Sequence, residues 1–155
     1  MLTVSTWPSR EAYWESVRLH DVSTIDALCA VPPQRRFYQQ LDLEGDAYQP
    51  VAAVSSILVE CRPDTRERVV NHLLRESKRF VTSQPGCVVR GLYVDEDDPC
   101  KLLVLSGWDS LTTWRQFVGS MVDTPRAALW ARGARVEPFI EGPTLAELDS
   151  ALLPP

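Results

Sequence analysis

Arg90 is the first residue that calls for a chemical explanation. It sits inside the run CVVRGLYV (87–94), where period-two spacing puts it on one strand face with Val88 and Leu92. A guanidinium on an apolar face is costly unless something pairs with it. Arg90 therefore either reaches an acid at the sheet edge or is held in place to steady an anion. Tyr93 falls on the opposite face, where its phenol can pass a proton or can simply be a half-buried sheet aromatic. His72 stands near the boundary of a helical apolar stripe, which places it at a rim; an imidazole there can act as a base near neutral pH. These three are the catalytic candidates. His20 lies apart from them near the N-terminus.

The aromatic residues form the second group. Trp108 ends the run KLLVLSGW, and its indole N–H can donate to a substrate oxygen or can belong to the core where helix meets sheet. Trp114, Phe117 and Trp130 recur at helical spacing, as core residues do and as the wall of a ring-binding pocket would. Together with Trp108 they are the substrate-binding candidates. The four cysteines, Cys29, Cys61, Cys87 and Cys100, are scattered, with no CxxC pair and no neighbouring His pair. A zinc site or disulfide framework needs tighter clustering, so neither is expected from these cysteines.

The elements that must position these residues can be read from the same pattern. VAAVSSILVEC (51–61) is β-rich and ends at Arg62-Pro63, since proline cannot donate to a sheet ladder. Asp64 with Glu67 forms a capping-box pattern for a helix carrying Val69, Val70, Leu73, Leu74, Phe80 and Val81 on one side. Gln84-Pro85-Gly86 stops it, because glycine takes the left-handed turn and proline forbids continuation. CVVRGLYV and KLLVLSGW, joined by Asp95-Glu96-Asp97-Asp98-Pro99, predict a hairpin with a long polar turn. Asp109-Ser110 caps a second helix through Leu111, Trp114, Phe117, Val118 and Met121. A short helix follows Pro125, and ARVEPFIEG (134–142) is a last, edge-type strand.

The order β-α-β-β-α-(α)-β predicts an α+β fold of the ferredoxin-like, split βαβ kind over residues 50–142. Helices on one side of such a sheet leave the other side apolar, and sheet-to-sheet pairing of two copies into a dimeric α/β barrel would cover it. The first 49 residues echo half of that module. LTVSTWPSREAYWESV (2–17) aligns with LVLSGWDSLTTWRQFV (103–118) at constant offset, with Trp7 on Trp108, Ser9 on Ser110, Tyr13 on Trp114 and Val17 on Val118. Residues 1–49 are thus expected to be a strand-helix-strand partial repeat. Residues 143–155 are expected to be a C-terminal arm with Leu145, Leu148 and Leu152 on one helical side.

The stretch QPGCVVRGLYVDEDDPCKLLVLSGWDSLTTWRQFVGS (84–120) resembles the antibiotic biosynthesis monooxygenase family. The shared features are Pro-Gly-Cys, a strand, an acidic turn ending in Pro, a strand ending in Trp, and an amphipathic helix. The resemblance implies a small enzyme of aromatic polyketide metabolism. Its oxygenases bind a phenol or anthrone, favour its anion and let it react with dioxygen without metal or flavin. The resemblance places Trp108 at the family's characteristic Trp position. The chain departs from many relatives at Phe117, where they carry a His, and MVDTPRAALWARG (121–133) offers no His for a haem iron.

Composition narrows the rest. With 45% hydrophobic and 24% charged residues, the 155-residue chain is ordinary for a globular protein able to bury a core. The net charge of −5 and the dispersed arginines argue against nucleic acid and anionic membranes as partners. The start, MLTVSTWPSREAYW, has no basic or long apolar segment, so a soluble cytoplasmic protein is expected. The function expected is a cofactor-independent monooxygenase acting on a phenolic or anthrone-like polycyclic substrate, as a homodimer. A cyclase or isomerase on the same scaffold and a non-catalytic small-molecule-binding accessory protein are the alternatives.

Overall fold

The computed structural model describes residues 7–19, 35–120, 128 and 132–136. The chain divides into two compact units, Met1–Phe37 and Tyr38–Pro155.

In the first unit, helix α1 (Arg10–Leu19) begins at Ser9, whose Oγ accepts the Ala12 N–H at 3.2 Å. That bond satisfies one of the donors a helix start leaves open. In the second unit Ser110 Oγ accepts the Thr113 N–H at 3.2 Å. Tyr13 is the hub of an aromatic cluster, edge-on to Trp7, Trp14 and Phe37 at 5.5, 5.1 and 5.2 Å. Residues 2–6 and 20–34 of the expected half-module lie outside the described residues.

The second unit is a five-stranded antiparallel sheet carrying helices. Strand β1 (Tyr38–Gly45) is followed by β2 (Ala53–Cys61). Next comes a composite helix: α2 (Arg66–His72), a π segment (Leu73–Ser77) and α3 (Lys78–Thr82). Strands β3 (Cys87–Asp95) and β4 (Lys101–Trp108), helix α4 (Leu111–Ser120) and strand β5 (Ala134–Val136) complete it. The strand order is β1-β3-β4-β2-β5. Without β1 this is the ferredoxin-like order, with helices crossing from β2 to β3 and from β4 to β5. Strand β1 adds a fifth position at the β3 edge, from Tyr38↔Asp95 to Gly45↔Val89.

The register sorts the side chains. Ala53, Ile57 and Val59 of β2, Leu92 and Val94 of β3, and Leu102, Val104 and Trp108 of β4 are buried, as are Val69, Leu73, Val81, Trp114 and Phe117 from the helices. The other sheet face is less covered among the described residues: Leu43 and Val54 are exposed there. In the hairpin turn, Asp95 Oδ1 accepts the N–H groups of Asp97 and Asp98 at 2.9 and 3.0 Å, which fixes the acidic loop.

Two local expectations are corrected. The capping box at Asp64 does not form. Thr65 occupies the cap position without a side-chain cap bond; its hydroxyl instead donates to the carbonyls of Arg62 and Gly133. Asp64 pairs with Arg62 at 2.9 Å. His72 is buried, at 6% exposure, rather than on a rim, with its Nδ1 2.7 Å from Glu76 Oε2. Of the short helix expected after Pro125 only Ala128 is described, and residues 137–142 of the last strand and the arm 143–155 lie outside the described residues.

Candidate functional site

Strand β3 puts Arg90 on the helix-facing side, where it is fully buried. Its Nη2 donates to the Leu73 carbonyl at 2.8 Å, at the start of the π segment, and its Nη1 lies 3.3 Å from Asp42 of β1. Asp42 is shared with Lys78 at 3.1 Å, and Lys78 also pairs with Glu44 at 2.6 Å. Burial lowers the pKa of Arg90, and the carboxylates of Asp42 and Glu44 oppose that shift. The third guanidinium donor, Nε, is buried without a partner among the described residues. An orphaned buried donor of this kind costs free energy unless an acceptor arrives.

Arg90 is also one member of a polar row. By register Glu44 lies opposite Arg90, Arg90 opposite Ser106 and Ser106 opposite Ser55, so the row crosses β1, β3, β4 and β2. Ser55 and Ser106 are buried, with their hydroxyls 3.2 Å apart. The Trp108 indole donates to Ser55 Oγ at 3.1 Å. The Trp108 ring stacks on Phe117 of α4 at 4.4 Å and 29°. Trp114, one turn earlier on α4, is buried with its indole N–H unpartnered among the described residues. The row thus brings one guanidinium and two hydroxyls together beside stacked aromatic rings in a buried setting of low dielectric.

A second constellation lies on the flank of α2. His72 Nδ1 is 2.7 Å from Glu76 Oε2, at i,i+4 spacing on the helix. Arg132 Nη2 reaches both Glu76 oxygens, at 3.2 and 3.1 Å, and its Nη1 donates to the Ala128 carbonyl. Arg68, Asn71, His72, Arg75, Glu76 and Arg132 line an open hollow of about 310 Å³.

The sequence candidates therefore separate. Arg90, Trp108 and Phe117 share the helix-facing side of the sheet, and Trp114 lies in the helix that covers it. His72 opens on the α2 flank. Tyr93 belongs to the far face, folded over Gly91, where a Cβ would stand 2.5 Å from its phenol oxygen. Burial raises its pKa. Trp130 lies outside the described residues. No group of three or more His, Cys, Asp or Glu side chains capable of holding a metal is found among the described residues. Sequence reasoning missed Asp42, Ser55, Ser106, Glu76 and Arg132. Asp42 and Glu44 did carry a signal, since acids at period two on a strand share one face. Glu76 is legible as the i+4 neighbour of His72.

Residues 54–122 match the model of the antibiotic biosynthesis monooxygenase family. No curated protein matches the chain in sequence. Among solved structures it is similar to a heme-degrading enzyme from Listeria monocytogenes. The identity is 15% and the TM-score 0.50, over 68% of this chain and 71% of that one. An anthrone oxidase-like protein is similar at 12% identity and a TM-score of 0.59, over 86% of this chain and 67% of that one. A regulator of staphylococcal pathogenesis shares the fold at 10% identity and a TM-score of 0.52, over 72% and 69%. At these identities the structural likeness shows the fold alone. The sequence match and the split βαβ sheet agree: residues 54–122 are similar to the antibiotic biosynthesis monooxygenase family, within a sheet of the ferredoxin-like order.

Proposed function

We propose that the protein is a cofactor-independent monooxygenase acting on a phenolic or anthrone-like polycyclic substrate. The observation that carries this reading is the buried Arg90, its Nε unpaired among the described residues, set in a polar row beside the stacked Trp108 and Phe117. In the proposed reaction a ring CH₂ is deprotonated to an enolate, and the carbanion passes electrons to dioxygen to form a hydroperoxide. Loss of water then leaves a carbonyl: one CH₂ and one O₂ give one C=O and one H₂O. Arg90 steadies the enolate oxygen electrostatically. His72, held by Glu76 on the α2 flank, lies apart from Arg90 and has no assigned part, so the proton in this scheme goes to solvent water. Trp114, its indole N–H unpartnered among the described residues, and Phe117 line the ring site, while Trp108 acts through Ser55. Tyr93 and Trp130 have no assigned part.

A homodimer fits this reading, because Leu43 and Val54 leave the far sheet face apolar among the described residues. The thiols of Cys61, Cys87 and Cys100 are free, which suits a reducing cytoplasm.

A second reading, a small-molecule-binding accessory protein, draws on the same residues. Trp108, Trp114 and Phe117 are buried together, and their volume occupies the layer between β4 and α4. Oxygen uptake separates the two. With chelator present and no flavin, an anthrone-like phenol should consume one O₂ per carbonyl formed, and Arg90→Lys should slow it. Ligand-dependent stabilisation without uptake would establish the accessory reading instead. Equal turnover under strict anaerobiosis would indicate a cyclase or isomerase.

A further inference from the structure

We infer that the hollow on the flank of α2 is a binding site for an oxyanion group, a carboxylate or a phosphate, carried by a small ligand. The inference stands on the hollow itself and does not depend on the oxygenase reading.

The helix sets the spacing. Arg68, His72 and Arg75 follow at i, i+4 and i+7, so they lie along one side of it, with Asn71 and Glu76 adjoining. Arg132 closes the hollow from the segment leading into β5. Charge is what distinguishes the place. The chain as a whole carries −5, yet three of the six lining side chains are guanidinium groups. Glu76 is the one carboxylate among them, and it is already engaged by His72 at 2.7 Å and by Arg132 at 3.1 Å. Arg68 and Arg75 have no carboxylate partner among the described residues. The hollow is therefore net cationic, with its own acid consumed internally.

His72 makes it a built site. Its side chain is only 5% exposed and is oriented through Nδ1, so the ring borders the hollow in a fixed pose. Guanidinium groups recognise carboxylate and phosphate through paired N–H donors, and a pre-positioned cluster loses little freedom on binding. Asn71 adds an amide donor at the same level of the helix. At about 310 Å³ the hollow is the size of a small organic acid or of a phosphate with its first substituent.

The test is calorimetry at low ionic strength with two probes, inorganic phosphate and benzoate, on the full chain. The double variant Arg68→Gln/Arg75→Gln alters exposed side chains and should keep the fold. It should weaken the better probe by about tenfold or more, as expected when two charge-assisted donors are lost. The control Arg79→Gln, exposed on α3 and outside the hollow, should stay within about twofold. Tighter binding of phosphate would assign a phosphorylated ligand, and tighter binding of benzoate an aromatic acid. Absence of saturable binding by either probe, or an equal loss in the control, would overturn the proposal.

Discussion

The guanidinium of Arg90 donates to the carbonyl of Leu73 at 2.8 Å, tying the middle of the sheet to the place where the helix above it widens. In the π segment the Lys78 amide reaches back to this same carbonyl, so Leu73 accepts from the helix and from the sheet. A π turn is an inserted residue, frequent at functional sites. Here Lys78 just beyond it also turns toward Asp42 and Glu44 of β1. One buried arginine thus connects β1, β3 and the composite helix.

Removing it should be costly. Arg90→Met should lower the unfolding free energy by about 2–4 kcal/mol, since Asp42 loses a buried partner while keeping Lys78. Arg90→Lys should lose less, retaining the charge beside Asp42 but offering no planar fork to span Asp42 and Leu73. Urea denaturation of both variants checks this. A change below about 0.5 kcal/mol for Arg90→Met, the range of ordinary surface substitutions, would show that the tie carries no stability.

The Trp108–Ser55 bond gives a second expectation. Ser55→Ala leaves a buried indole N–H without its acceptor and should cost about 1–3 kcal/mol. Trp108→Phe removes the donor and part of the stack on Phe117 and should cost a comparable amount. The two losses should not add: the double variant should fall short of their sum by about 0.5–1.5 kcal/mol, the range of a net hydrogen bond. Strict additivity in a double-mutant cycle would mean that the hydrogen bond contributes nothing.

Much of this was legible because it follows from local spacing. The hairpin, the Gly86 stop, the Ser110 cap and the placement of Arg90 with Leu92 on one face rest on turn chemistry and strand period. The partner of Arg90 did not follow, because Asp42 lies 48 residues away on a strand whose place in the sheet no local pattern specifies. The Ser106–Ser55 pair was hidden for the same reason: serines in strands read as neutral until the register sets them opposite each other. The π segment was invisible because its apolar stripe matches that of an ordinary helix. Arg90 reaches an acid on the edge strand, Asp42 of β1, while its own side chain is fully buried.

Alkaline pH should weaken the fold through Cys61. Its thiol is pushed up to about 11 from an ordinary 9.0, chiefly by burial and then by the neighbouring Cys100. The folded state thus resists ionisation that the unfolded chain accepts. The stabilising difference is fully present below pH 9.0 and is lost as pH rises toward about 11. Tyr93, also raised by burial, acts in the same direction. Urea midpoints should fall across that window, and Cys61→Ser should flatten the fall. An unchanged slope in the variant would assign the effect to Tyr93 and other groups.

Gly86 is where the turn ending α3 meets the start of α4. Its φ is +79°, and an added Cβ would stand 2.5 Å from Asp109 Oδ1 and 2.6 Å from the Thr113 side chain. Its carbonyl accepts the Asp109 N–H at 2.9 Å, so the same residue anchors the α4 cap. Gly86→Ala adds a left-handed backbone penalty of about 1–2 kcal/mol. It must also displace Asp109, which receives the Thr113 hydroxyl at 2.7 Å. The total loss should be about 2–4 kcal/mol, and α4 amides near Thr113 should exchange hydrogen faster than those of β2. A variant as stable as the parent, with unchanged exchange at Thr113, would mean that the turn relaxes freely and does not set the position of α4.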